Sequence, residues 1–272
     1  MPLVHAVAPG VVAADTITKL PPDASGAVVV SGSHGGRYPG YLAAKAGVRA
    51  VILNDAGVGH DAAGIGALAY LEALGIAAAA VSHESCRIGD TQDMLARGRV
   101  SHANAAARAA GVIPDMACLE AAVLLTGAAH VRAEAPEVGE GRGEIADAGA
   151  RRIVLVDSAA MVVPADAGAV VVTGSHGGLV GGDPAMALRT EAFAAVFNDA
   201  GIGLEEAGIG RLPALDRRGM AAFTVAAASA RIGEARSTFE DGIVSRANDT
   251  AARLGAAAGA RARDVLLRWA DG

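Results

Sequence analysis

Aromatic residues make up only 3% of this chain, and lysine is rarer still: Lys19 and Lys45 are the only two among 23 basic residues. Nucleic-acid binding needs basic stripes or stacking rings, so few rings and a net charge of −6 argue against it. Two cysteines, Cys86 and Cys118, provide no disulfide framework and fit a reducing compartment. Long apolar runs are also missing. The stretch from Met116 to Val131 is broken by Glu120 and His130 and is too short to span a bilayer, so no membrane association is expected. The opening Met1-Pro2-Leu3-Val4-His5 lacks the basic start of a signal peptide, and the expected location is the cytoplasm. An apolar fraction of 52% with 19% charged residues indicates a globular chain rich in small side chains.

The chain repeats itself. Residues 26–36, Gly-Ala-Val-Val-Val-Ser-Gly-Ser-His-Gly-Gly, return at 168–178 with Thr in place of the first Ser. Asn-Asp-Ala-Gly-x-Gly occurs at 54–59 and 198–203, Ala-Gly-Ile-Gly-x-Leu at 63–68 and 207–212, and Arg-Ile-Gly at 87–89 and 231–233. Asp15-Thr16 and Asp157-Ser158 match at the first offset. Polar loops as well as apolar runs recur, so the two copies should share a site geometry.

Each copy alternates apolar runs with helical stretches. The runs Ala27–Val30, Val48–Leu53 and Ile76–Val81, with Ala169–Val172, Phe193–Phe197 and Met220–Val225, read as strands buried on both faces. Extra strands are expected near Val4–Val12 and at Ile153–Val156. Helices are expected at Asp61–Leu74 with a stop at Gly75, at Glu205–Arg218 with a kink or late start at Pro213, at Arg99–Ala110, at Ile243–Leu254 and at Pro114–Thr126. On the two predicted helices at Arg99 and Ile243, Ser101 and Asn104, matched by Ser245 and Asn248, would share one face. The expected fold is an internally duplicated α/β protein, two pseudo-two-fold-related Rossmann-like halves with mainly parallel sheets. The halves span residues 1–133 and 151–272, and residues 134–150, rich in Gly and Glu, form the linker.

All shared polar motifs follow strands, which collects them at the carboxyl edge of a parallel sheet, where ligands of open α/β folds bind. In Ser33-His34-Gly35-Gly36 and Ser175-His176-Gly177-Gly178 the glycines can present backbone N–H groups to an anion, and the imidazoles can act as acid or base. The bland alternative is that each His only ties its own loop. Ser33 and Ser175 also fit the small-x-Ser-x-Gly spacing of a nucleophile elbow, although each half is short for a hydrolase sheet. Asp55 and Asp199 are candidate orienting groups for the imidazoles, and Asn54 and Asn198 candidate oxyanion donors; the alternative for the Asp pair is an Asx turn. Arg87 and Arg231 suit a carboxylate, or else pair with a nearby Asp. His83, Glu84 and Cys86 face Ala227, Ala228 and Ala230 in the second copy, which makes the first copy chemically richer. Cys86 is a weaker nucleophile candidate beside His34, and a buried, inert thiol is its default.

His34, Asp55, His83, Glu84 and Cys86 match no zinc spacing, so no metal is expected. The segment Gly57-Val58-Gly59-His60-Asp61-Ala62 fits a dinucleotide fingerprint, with Glu84 as the ribose-binding acid, but Glu206 breaks the pattern in the second copy. An NAD-dependent oxidoreductase is therefore a minor alternative, and no cofactor is assigned. The expected function is hydrolysis of an amide or ester bond in a small anionic, carboxylate-bearing metabolite. His34 is its base, oriented by Asp55, with His176 and Asp199 as the second set. The main alternative is a non-catalytic binding or regulatory protein, as a homo-oligomer or partner subunit. Both His-bearing loops in one cleft with His83 and Glu84 would favour the enzyme.

Overall fold

The computed structural model describes residues 5–272 and contains two six-stranded mixed sheets of similar topology. The first consists of β1 (His5–Ala8), β2 (Val11–Ala14), β3 (Val28–His34), β4 (Ala50–Asn54), β5 (Ala77–Val81) and β6 (Val100–Ala103). The second consists of β7 (Arg142–Glu144), β8 (Ile153–Val156), β9 (Val170–His176), β10 (Ala194–Asn198), β11 (Ala221–Val225) and β12 (Val244–Ala247). In each sheet the strands lie side by side in chain order, the inner four parallel and the two edge strands antiparallel. The helices are α1 (Arg37–Lys45), α2 (Gly66–Ala73), α3 (Thr91–Arg97), α4 (Ala105–Ala109), α5 (Cys118–Leu125), α6 (Arg211–Asp216), α7 (Ala235–Glu240), α8 (Asp249–Arg253) and α9 (Ala262–Asp271).

Burial on both faces explains the apolar runs. Along β4, Val51 and Leu53 pack with Tyr41 of α1 and Leu71 of α2, whereas Ala50 and Ile52 pack with Met94 of α3 and Cys118 of α5. Each fully buried Ile or Leu of this kind contributes about 1.5–3 kcal/mol. No helix among the described residues is long and apolar enough to cross a membrane.

The strand order corrects one part of the Rossmann-like expectation. A Rossmann sheet reverses its order at a switch point, and its ligand crevice opens there. Here the order never reverses, so no crevice of that kind opens. Val4, at the start of one expected strand, lies outside the described residues; the rest of that stretch forms β1 and β2, joined at Gly10. Helices expected from Arg99 and Ile243 begin instead as β6 and β12, and Ser101 and Ser245 lie on those strands. Asn104 and Asn248 cap α4 and α8, accepting from Ala107 N and Ala251 N at 3.0 and 2.9 Å. The helix expected from Asp61 starts only at Gly66, because Asp61 and Ala62 are left-handed, and it stops before Gly75. The helix expected from Glu205 likewise starts late, at Arg211, because Glu205 and Glu206 are left-handed, and Pro213 falls in its first turn.

The second half has no counterpart of α1. Short 3-10 turns at Val180–Gly182 and Pro184–Met186 link β9 to β10. Gly181 and Gly182 have left-handed φ of 61° and 67°, and Pro184 cannot sit within a helix without losing a hydrogen bond. The stretch read as a linker is also structured. Residues 142–144 form β7, and Tyr70 donates to Pro136 O at 2.7 Å.

The loops that follow the parallel strands of one sheet meet those of the other, and their contacts come in matched pairs. His60 N donates to Ala227 O and Leu204 N to His83 O, both at 2.8 Å. Arg87 pairs with Glu205 at 2.8 Å and Arg231 with Asp61 at 3.0 Å. Ala56 and Ile88 pack with Ala200 and Ile232. At the centre a Cβ on Gly57 would stand 2.8 Å from Gly201 Cα, so the backbones touch at a distance only glycine allows.

Candidate functional site

The shared motifs divide between two jobs. Asn-Asp-Ala-Gly-x-Gly builds the seam. Asp55 Oδ1 accepts from Gly57 N, His83 N and His83 Nδ1 at 3.1, 2.9 and 2.8 Å. Asp199 Oδ1 accepts from Gly201 N and Ala227 N at 2.9 and 2.8 Å. Each carboxylate thus ties its own left-handed loop to the next strand end. Asp55 does not orient His34, because its imidazole partner is His83. Asn54 and Asn198 are fully buried; their amides donate to Cys86 Sγ and Ala230 O, and their carbonyls accept from Ala56 N and Ala200 N. They are no oxyanion donors.

The arginines expected to hold a carboxylate are committed to the seam as well. Arg87 pairs with Asp90, Asp93 and Glu205, and Arg231 with Glu234, Asp61 and Asp241. Glu84 is exposed, His83 is pinned at the seam, and neither lines the cavities described below. The dinucleotide fingerprint is filled by protein, with Gly57 against Gly201 and Gly59 against Ala227 O. Burial pushes the thiols of Cys86 and Cys118 up to about 12, so both are inert near neutrality. Among the described residues no group of three or more His, Cys, Asp or Glu is placed to hold a metal ion.

Ser-His-Gly-Gly, by contrast, builds a cavity. Ser33, His34, Ser175 and His176 line one space between the halves, of about 110 Å³. The glycines are not an anion nest, because their N–H groups are already used. Gly35 N and Gly177 N donate to Asn54 O and Asn198 O at 2.7 and 2.8 Å. Gly36 N and Gly178 N donate to Nδ1 of His34 and His176, both at 3.1 Å.

These last two bonds fix the imidazole chemistry. An Nδ1 that accepts a backbone N–H carries no proton, so the neutral ring bears its hydrogen on Nε2. Burial lowers His34 to about 4, and burial reinforced by the nearby Arg211 and His34 lowers His176 well below its ordinary value. Both rings are therefore neutral Nε2–H donors near neutrality, and His34 is not poised as a base. Among the described residues nothing accepts from either Nε2. Ser33 and Ser175 accept backbone N–H groups from Ile17 and Ala159 at 3.0 and 2.8 Å, and no base contacts either hydroxyl. A serine nucleophile finds no support in that arrangement.

Sequence reasoning missed the charged members of the site. Arg211 lines the cavity and is 4% exposed. It donates to Gly178 O at 3.0 Å, Met186 O at 3.1 Å and Ala187 O, and its guanidinium lies 5.0 Å from the Phe197 ring centroid. No carboxylate among the described residues lies within ion-pair distance, and burial alone lowers its pKa to about 10. It stays charged at neutral pH without a protein anion. The signal was present: in the shared Ala-Gly-Ile-Gly-x-Leu motif the variable position is Ala67 in one copy and Arg211 in the other. Glu140, from the stretch read as a linker, also lines the cavity with Tyr38, Asp157 and Ser158. Burial, reinforced by Asp157, raises the Glu140 carboxyl above its ordinary value, against hydrogen bonds from Tyr38 and Ser158.

No protein family, curated protein or solved structure matches this chain.

Proposed function

We propose that the chain is a duplicated α/β protein whose halves are related by an approximate two-fold axis between Gly57 and Gly201. We further propose that it is an enzyme acting on a small, carboxylate-bearing molecule bound in the cavity between them. The observation that carries this reading is Arg211, a buried guanidinium with no ion-pair partner among the described residues, on the wall of a space that is also lined by His34 and His176. A buried cation left uncompensated is costly, and a bound carboxylate supplies its counter-charge. A cavity of about 110 Å³ has room for a group of roughly the size of benzene or smaller.

The reaction class that fits these groups is hydrolysis of an amide or ester. Neutral Nε2–H groups of His34 and His176 would donate to the carbonyl oxygen as negative charge develops on it. Glu140 would take the proton from the attacking water and return it to the departing amine or alkoxide as the C–N or C–O bond breaks, a role its raised pKa suits. Two buried, unpaired thiols support a reducing, cytoplasmic setting.

The test is binding and turnover of a panel of small carboxylate-bearing amides and esters. Arg211→Met should weaken binding by about ten- to a hundredfold, the range of a charge-assisted bond lost in a buried site. Glu140→Gln should lower kcat by about 10²–10⁴ while binding persists. Equal affinity for wild type and Arg211→Met would remove the reading. A non-catalytic binding protein is the second reading, favoured by the lack of any Ser–His hydrogen bond in the cavity; binding through Arg211 without turnover of any panel member would select it.

A further inference from the structure

We infer that a larger chamber adjoining the cavity receives a second anionic group of the same ligand, so that the molecule held between the halves is a short dianion with an apolar spacer. The inference rests on Arg211 as the carboxylate anchor and extends that reading outward.

The chamber has a volume of about 340 Å³ and shares Arg211, Thr16 and Thr18 with the inner cavity. Its wall is built where the second half departs from the first. In the first half α1 packs directly on α2, where a Cβ on Gly40 would stand 2.9 Å from the Ala67 Cβ. The second half lacks that helix, and Arg211 occupies the position of Ala67. The residues between β9 and β10 form a chamber wall instead, with Val180, Met186 and Leu188 as its apolar part.

Lys19 and Arg189 also line this chamber, and among the described residues neither has an ion-pair partner or a side-chain hydrogen bond. The two acids on its wall are engaged by backbone: Asp15 accepts from Thr91 N at 3.4 Å and Asp183 from Ala185 N at 2.9 Å. Three cations that form no ion pair among the described residues, one buried and two exposed, therefore outnumber the two acids on a wall that also carries an apolar stretch. A ligand with an anionic group at each end and methylene groups between them complements that pattern. A monoanion leaves Lys19 and Arg189 without a role.

The test is calorimetric titration of the full chain with α,ω-dicarboxylates of three to six carbons, carboxyalkyl phosphates, and monocarboxylates of matched length. Wild type should bind the dianions about five- to tenfold more tightly than the matched monocarboxylates, a gain expected for exposed ion pairs. Lys19→Gln with Arg189→Gln should abolish that preference and leave monocarboxylate affinity unchanged. Both side chains are exposed, so the double variant should keep its fold, as checked by circular dichroism. Whether carboxylates or phosphates bind better identifies the distal group. If monocarboxylates bind through Arg211 and dianions bind no better, the chamber inference is overturned while the anchor stands. A double variant that keeps the preference overturns it equally. If no carboxylate binds wild type, the anchor itself fails and the inference falls with it.

Discussion

Nδ1 of His83 lies 2.8 Å from Oδ1 of Asp55, whereas the matching position in the second half is Ala227. Asp199 performs the same loop-tying role with two backbone donors alone, so the imidazole is an addition to a complete turn. The hydrogen bond to Asp55 raises the His83 pKa above 6.5 against the effect of burial. A raised folded-state pKa contributes stability that is fully present below the unfolded value and is lost as pH rises through the folded one. His83→Ala should therefore cost about 1 kcal/mol at pH 6 and less at pH 9, read by urea denaturation. An equal cost at both pH values would show that the ring contributes packing and not charge.

Substitution at the seam should be costlier than the same change on the surface. Gly57 has φ of 74° and faces the Gly201 backbone; Gly219 has φ of 70° with nothing within 4 Å of a new Cβ. Gly219→Ala should cost only the left-handed conformation, about 1–2 kcal/mol. Gly57→Ala adds overpacking against a backbone that cannot yield, for a total of about 2–5 kcal/mol. Equal losses in denaturation midpoints at constant m would mean that the two halves do not meet as described.

The imidazoles of His34 and His176 should remain neutral through the range in which ordinary histidines titrate. Their folded-state pKa values are depressed, so the unfolded chain binds more protons as pH falls below about 6.5. Stability should be unaffected by these rings above that pH and should fall with acidification, for His34 down to about 4 and for His176 in the same direction, by up to about 1.4 kcal/mol per pH unit for each ring. Nitrogen-15 NMR should show a protonated Nε2 and an unprotonated Nδ1 on both rings at pH 7. A ring that titrates near 6.5 would refute the Nδ1 assignment.

The parts legible in the sequence were those governed by local pattern. Runs such as Ala50–Leu53 lie between two helical layers, so their lack of alternation reported strand burial correctly. Edge strands were harder: Val-Ser-His-Ala of β6 has one buried residue in four and reads as the start of a helix. In the Ser-His motifs, His34 and His176 line the cavity because they stand at the ends of β3 and β9. Their glycines were misread because the acceptors that use up the N–H groups, Asn54 O and Asn198 O, come from the next strand. Arg87 and Arg231 were misread for a similar reason, since Glu205 and Asp61 reach them from the opposite half. Arg211 was passed over, although it is the exchange for Ala67 between the two copies. Its burial depends on the loop that replaces the helix prevented by Gly181, Gly182 and Pro184, and no single stretch of sequence shows that consequence.

Glu140 separates stability from function. Its pKa is raised chiefly by burial, so the folded chain favours its protonated form more than the unfolded chain does. By linkage, the stability associated with this group is fully present below its unfolded pKa and is lost as pH rises through the raised folded value. Where the carboxylate is ionised, it is so at a cost to the fold. Glu140→Gln keeps the shape, removes the charge beside Asp157 and should leave the protein at least as stable as wild type at pH 7. The same variant should lose turnover if Glu140 accepts a proton from water. The pH profile of kcat/KM should then have an acidic limb whose apparent pKa lies above the ordinary carboxylate value, absent from any residual activity of the variant. Matched thermal unfolding and rate measurements on the two proteins provide the check. A variant that is both destabilised and fully active would place Glu140 among the structural contacts of β7 and leave the cavity without its base.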